Sequence, residues 1–279
     1  MSRGIYYMIL STLAFAVMTA MAKALSHLHP LQVVFFRALG TFLIIVPYMA
    51  SRGISILGDH RKLLLIRGFF GTVSIITFFI VLQRIPLGAT MSLRYLGPIF
   101  GALFAVWLLK ESINKWQWLS FAIAFSGVIM MKGFDLRIDL LSFILIMVSA
   151  IFLGLAFVMI RYLVSKEHFL TIVNYLMMTS IVTGLLFYND WSMPTGNDWY
   201  SVVGMGIMGM IGQIFLTLAF KYEETNIVAP IKYIELVWAF IIGFMFFGET
   251  YTLLPIIGMV LIIIGMIANV RFKSKNVVP

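Results

Sequence analysis

The sequence has no cysteine among its 279 residues, and Asp, Glu, Lys and Arg together make up only 11%. The first absence excludes a disulfide framework and a thiolate metal site, and leaves the redox compartment undetermined. The second leaves less than half the charged share of a soluble domain, which is about 25%. Long polar linkers are missing too. The longest connections between apolar runs are 51–62 (SRGISILGDHRK) and 188–198 (YNDWSMPTGND), too short for an inserted soluble domain. What fills the chain is hydrophobic, 62% of all residues, in repeated runs of 18 or more. A helix needs roughly 20 such residues to cross the hydrocarbon core. The sequence therefore reads as an all-α integral membrane protein with the lipid bilayer as its surroundings.

Several chemistries are excluded with the missing residues. There is no HExxH helix, no Ser/His pair and no cluster of carboxylates, so no catalytic residue, metal site or cofactor is implied, and an intramembrane lipid enzyme is disfavoured. No phosphate-binding loop is present, so ATP does not drive the protein directly. The net charge of +9 lies between apolar runs and not in a stripe with interleaved aromatics, which argues against nucleic acid. His27, His29, His60 and His168 sit in or beside connections. A homodimer is neither required nor excluded.

Charges, prolines and glycines divide the chain into ten expected spans: 5–25, 31–50, 63–82, 88–109, 115–132, 140–163, 168–187, 199–220, 226–247 and 251–270. The run after Arg3 is about 19 residues, longer than the 7 to 15 of a signal-peptide core, and reads as the first span. With the N-terminus inside, the inner connections and tails hold thirteen basic residues: Arg3, Arg52, Arg61, Lys62, Arg67, Lys110, Lys115, Arg161, Lys166, Lys221, Arg271, Lys273 and Lys275. The outer ones hold four: Lys23, Arg84, Lys132 and Arg137. That bias predicts both termini in the cytoplasm. Arg37, Arg94 and Lys232 are left within spans.

Sliding the chain by 138 residues against itself aligns Ser11 with Ser149, Gly68 with Gly206, Gly71 with Gly209, Arg94 with Lys232, Tyr95 with Tyr233, Glu111 with Glu249, Ser112 with Thr250 and Gly127 with Gly265. The expected units are residues 1–138 and 139–279. Five spans in each half force opposite orientations, the inverted-repeat plan of secondary transporters, whose substrate sites lie near the midplane where the repeats meet.

The segments PLQVVFFRA (30–38), GPIFGALFAVWLLKESINKWQWLSFAIAFSGV (97–128) and LVWAFIIGFMFFGETYTLLPIIGMVLIIIGM (236–266) resemble the drug/metabolite transporter superfamily, and within it the EamA-type carriers. The resemblance covers essentially the whole chain. It implies a ten-helix carrier of the cytoplasmic membrane with a small-molecule cargo, and family cargoes range over amino acids, cationic drugs, nucleotide-linked metabolites and vitamins.

The charges within spans are the candidate site. A charge at a span's centre costs about 2.5–3.5 kcal/mol on insertion scales and usually faces the bundle interior or a watery path. Arg37 and Arg94 lie about six residues from the outer ends of their spans, roughly 9 Å deep, so two readings are open to them: lining a cavity or snorkelling to the interface. Lys232 and Glu235 are three apart on one helix face and can neutralise each other. Glu235 is the one acid within a span and the candidate for proton coupling or for meeting a substrate amine. Arg37, Arg94, Tyr95, Lys232, Tyr233, Glu235 and Trp238 are the expected lining, completed by Asn174 and Gln213, with Ser92 beside the arginine. Asn174, Gln213 and Ser92 have interhelical hydrogen bonding as an alternative role.

Pro98 withholds a donor from the carbonyl of residue 94, so Gly97 and Pro98 form an expected hinge in the fourth span. The second half carries Glu235 and Leu236 there, and reads as having a charge in place of a kink. Glycines at 68 and 71, at 206, 209 and 212, and at 97 and 101 read as close helix contacts. The expected cargo is an amino acid or related zwitterion. The alternatives are an anionic nucleotide-like or phosphorylated metabolite, or a broad range of drugs.

Overall fold

The computed structural model describes residues 2–84, 90, 93–132, 139–247 and 253–272. The expectations for Ser92, Arg137, Glu249, Thr250, Lys273 and Lys275 lie outside them. Among the described residues the protein is helical, with eleven α-helices: α1 Arg3–Ala24, α2 Pro30–Ser51, α3 Arg61–Leu82, α4 Gly97–Leu109, α5 Lys115–Lys132, α6 Leu140–Leu163, α7 Phe169–Leu185, α8 Asp198–Tyr222, α9 Thr225–Ile231, α10 Ile234–Phe247 and α11 Leu253–Arg271. Five of them, α1, α2, α3, α6 and α8, are long and apolar enough to cross a membrane.

Local chemistry sets several starts. Ser2 accepts from the Ile5 amide at the head of α1, and Asp139 accepts from the Ser142 amide at the head of α6. Such caps satisfy amides that have no partner inside the helix. Two connection histidines do the same work: Nδ1 of His29 accepts from Leu31 N–H, with Pro30 in the first turn of α2, and Nδ1 of His168 accepts from Leu170 N–H.

The usual inside-out order of a soluble protein is reversed. Trp107, Leu140 and Leu43 are 76%, 75% and 62% exposed, while Thr41, Ser74, Ser149, Asn174 and Thr217 are at 0%. An apolar exterior with polar groups paired inside suits a solvent of hydrocarbon, where helices are joined by interhelical hydrogen bonds and small residues. Ser11 donates to the Gly212 carbonyl at 2.7 Å, and Ser149 donates to the Ser74 carbonyl at 2.7 Å. Gly40 and Gly206 meet where α2 crosses α8, so closely that a Cβ on Gly40 would lie 3.0 Å from the Gly206 Cα.

The principal packed pairs are α1 with α8, α3 with α6, α2 with α7, α2 with α8, α3 with α7, α4 with α6, α1 with α10, and α5 with α11. Replacing each helix by the one 138 residues away turns α1–α8 into α6–α3, α2–α8 into α7–α3, and α4–α6 into α10–α1. The α2–α7 and α5–α11 pairs map onto themselves. The Ser11 and Ser149 bonds are exchanged by the same operation.

The repeat-related spans that carry Arg94 and Lys232 are each interrupted beside the cation, whereas α2 runs unbroken through Arg37. Helical structure ends at Arg94, a turn covers Tyr95 and Leu96, and α4 starts at Gly97. In the second half α9 ends at Ile231, a turn covers Lys232 and Tyr233, and α10 starts at Ile234. The second copy is therefore broken as well, contrary to the sequence expectation of a charge without a kink. Pro230 lies inside α9, and Lys232 and Tyr233 N–H turn back to the carbonyls of Ala229 and Pro230, three residues away.

Candidate functional site

The two breaks face one internal cavity of about 80 Å³, room for roughly five to eight water molecules at 10–15 Å³ each. It is lined from α1 by Phe15 and Thr19, from α2 by Arg37, from α3 by Arg67, Ser74 and Phe78, from the breaks by Arg94, Tyr95 and Lys232, and by Pro98, Gln213 and Glu235. Of the residues expected there, Arg37, Arg94, Tyr95, Gln213, Lys232 and Glu235 line it, and so does Pro98, expected as a hinge.

Three others of the expected lining sit elsewhere, as does Gly97 of the expected hinge. Tyr233 is fully buried with its ring 5.6 Å from that of Tyr95 and is outside the lining. Trp238 donates from Nε1 to Thr12 Oγ1 at 3.2 Å and ties α10 to α1. Asn174 donates its amide to the Ile56 carbonyl at 3.2 Å, holding the 54–57 segment against α7. Gly97 packs on Leu153 at the α4–α6 crossing.

Arg67 was grouped with the cytoplasmic flank from its place near the start of a span, and the structure corrects this. It is 2% exposed, among the largest fully buried side chains, and lines the cavity beside Gly71. A sequence signal was present: Gly71, one turn on, matches Gly209, where a Cβ would fall 3.2 Å from Cγ and Nε of Arg37. Repeat-related glycines thus clear space for the two arginines of α2 and α3.

The electrostatics are lopsided. Among the described residues four cations and one acid line the cavity, and Lys232 Nζ pairs with Glu235. Among the described residues no acid pairs with Arg37, Arg67 or Arg94. Aromatic faces meet the cations instead: the Arg94 guanidinium lies 3.8 Å from the Phe78 centroid, Lys232 Nζ 4.4 Å and the Arg37 guanidinium 5.9 Å from that of Phe15. Such contacts contribute about 0.5–2 kcal/mol each and leave the positive charge in place. No group of three or more metal-ligating side chains occurs among the described residues.

The start of α9 is held by Glu111, just past the end of α4. The Glu111 carboxylate accepts from the Thr225 and Asn226 amides at 3.1 and 3.2 Å, and Arg161 Nε lies 3.6 Å from it.

Fold and cavity together define a class: a helical membrane protein with a cation-rich chamber between its two halves. The chain belongs to the EamA-like transporter family, whose model matches residues 2–132 and again 140–271. Its relatives are named transporters of the drug/metabolite superfamily. The pseudopaline exporter of Pseudomonas aeruginosa is 32% identical over 276 residues, covering 97% of each chain. The S-adenosylmethionine uptake transporter of Rickettsia prowazekii is 26% identical, covering 98% of this chain and 94% of that one. Human solute carrier family 35 member G1 is 26% identical over 89% of this chain and 73% of its own. A crystal structure with 15% identity superposes with a TM-score of 0.84 over 97% of this chain and 99% of that one, a likeness of fold.

Proposed function

We propose that this chain is a secondary transporter that carries a small polar metabolite, an amino acid or related zwitterion, across the cytoplasmic membrane by alternating access. The observation that carries the reading is the chamber itself, where Arg37, Arg67, Arg94 and Lys232 meet one acid, Glu235, between two broken helices. Discontinuous helices around a central site are how transporters place backbone and side-chain charge at a substrate. Names among the relatives include both an exporter and an uptake transporter, so either direction is compatible with the family.

The exchange pattern of the packed pairs supports two related halves, 1–138 and 139–279, read as ten spans in inverted orientation, and the bias of basic residues supports both termini in the cytoplasm. In that arrangement Glu235 takes a proton or the cargo's ammonium in exchange for Lys232, and Gly97 and Pro98 act as a hinge. Tyr233, Asn174 and Trp238 act from behind the lining, by holding its walls.

Solute counterflow in proteoliposomes against a metabolite library tests the reading. Exchange of zwitterionic substrates, lost in Arg94→Ala, is the expected result. If Glu235→Gln leaves both counterflow and gradient-driven uptake unchanged, the coupling role of Glu235 is wrong. If no member of a broad library exchanges, the carrier reading is wrong.

A further inference from the structure

We propose that the cargo is an amino-substituted oligocarboxylate, with two or three carboxylates clasped by Arg37, Arg67 and Arg94 and an ammonium meeting Glu235. The proposal rests on the carrier reading and narrows it. Among the described residues the lining's four cations and one acid leave a net charge of +3, which a cargo with one carboxylate and one ammonium would not change whichever partner Glu235 takes.

The arginines are built to meet a ligand. Arg37 is 5% and Arg67 2% exposed, and Nε of Arg37, Nε and Nη1 of Arg67 and Nη1 of Arg94 are buried with no protein acceptor. Buried guanidinium donors are normally matched, most effectively by the two oxygens of a carboxylate or phosphate. The donors sit on different elements, α2, α3 and the helical end at Arg94 ahead of α4, so they approach the cavity from separate walls. That arrangement suits several planar anions on one molecule.

Carboxylates fit better than phosphate for a backbone reason. Phosphate sites commonly use free amides of a helix N-terminus. Here the first turn of α4 contains Pro98, which has no N–H, and the first turn of α10 contains Glu235, which repels an anion. Recognition is left to the arginine forks. Tyr95 Oη and Gln213 Nε2, buried without a protein partner on lining residues, supply further polar atoms for the cargo's backbone.

The test is a ligand series on purified protein in nanodiscs, by calorimetry, with counterflow in proteoliposomes alongside. The probes are alanine, aspartate, N-(carboxymethyl)aspartate, tricarballylate and O-phosphoserine. Affinity is expected to rise about tenfold or more with each added carboxylate, with N-(carboxymethyl)aspartate ahead of the amine-free tricarballylate. In Arg67→Met the preference for N-(carboxymethyl)aspartate over alanine should shrink about tenfold, and Arg67→Lys should restore it only in part because the fork is lost. Because a ratio of affinities is read within one variant, partial misfolding does not imitate the result. Equal affinity and exchange for alanine and the oligocarboxylates would overturn the proposal and leave the carrier reading intact. So would tightest binding of O-phosphoserine. Failure of every probe to bind, with counterflow of some other metabolite, would also overturn it.

Discussion

Replacing Glu235 by Gln and Lys232 by Met should destabilise the protein by unequal amounts, although the two side chains are partners. Among the described residues Glu235 is the one acid lining a cavity that four cations line. Its loss strands Lys232, 8% exposed, beside three arginines. Breaking a buried pair in this way costs about 3–5 kcal/mol. For a chain of this size that corresponds to a melting point lower by roughly 6–10 °C, at about 2 °C per kcal/mol. Lys232→Met leaves Glu235 in the same cavity as Arg37 and Arg94, which take over as counter-charges. What is lost is mainly the Phe15 contact at 4.4 Å, about 0.5–2 kcal/mol, or no more than roughly 4 °C. The assay is thermal unfolding of both variants, purified in one detergent without substrate. An equal or larger drop for Lys232→Met would refute the claim that the arginines are left uncompensated.

Three smaller perturbations follow from the packing. Gly206→Val puts a branched side chain where a Cβ alone would lie 3.1 Å from the Gly40 Cα, and should lower stability by about 1–3 kcal/mol in the same thermal assay. Glu111→Gln weakens the acceptor that holds the Thr225 and Asn226 amides and removes the charge facing Arg161, so hydrogen exchange at 225–226 should speed up about tenfold. Burial pushes the Glu167 carboxyl up, but hydrogen bonds from the His60 amide and ring and the Asp59 amide outweigh it and hold its pKa below the usual range. A depressed carboxylate stabilises the fold above its unfolded pKa and loses that contribution as pH falls, so acidification through the carboxylate range should expose the 55–60 segment to protease, and Glu167→Gln should expose it at neutral pH.

The membrane class was legible because it rests on length and composition, which hydrocarbon thickness constrains directly. The cation pair Arg94 and Lys232 was legible because a charge inside an apolar run is rare and the 138-residue offset matched the two. Arg67 was missed because counting basic residues at span ends treats every arginine near a boundary as a topology signal. It does not ask which way the helix turns that side chain. The second break was missed for a related reason: Pro98 drew attention by following the arginine, whereas Pro230 precedes its lysine and matches no proline in the first half. Asn174 and Trp238 were polar groups on apolar helices, and helix periodicity alone does not say whether such a group faces a cavity or a neighbouring backbone carbonyl.

Because the chain lacks cysteine, a single introduced thiol can be followed without background. Ala156 is 3% exposed and lines the cavity on α6. The most direct measurement is labelling of Ala156→Cys in membranes by an impermeant thiol reagent applied from one side at a time. A carrier that alternates should react from both sides, with the rate reduced by transported substrate. Reaction from one side only, unaffected by any substrate, would contradict alternating access through this chamber.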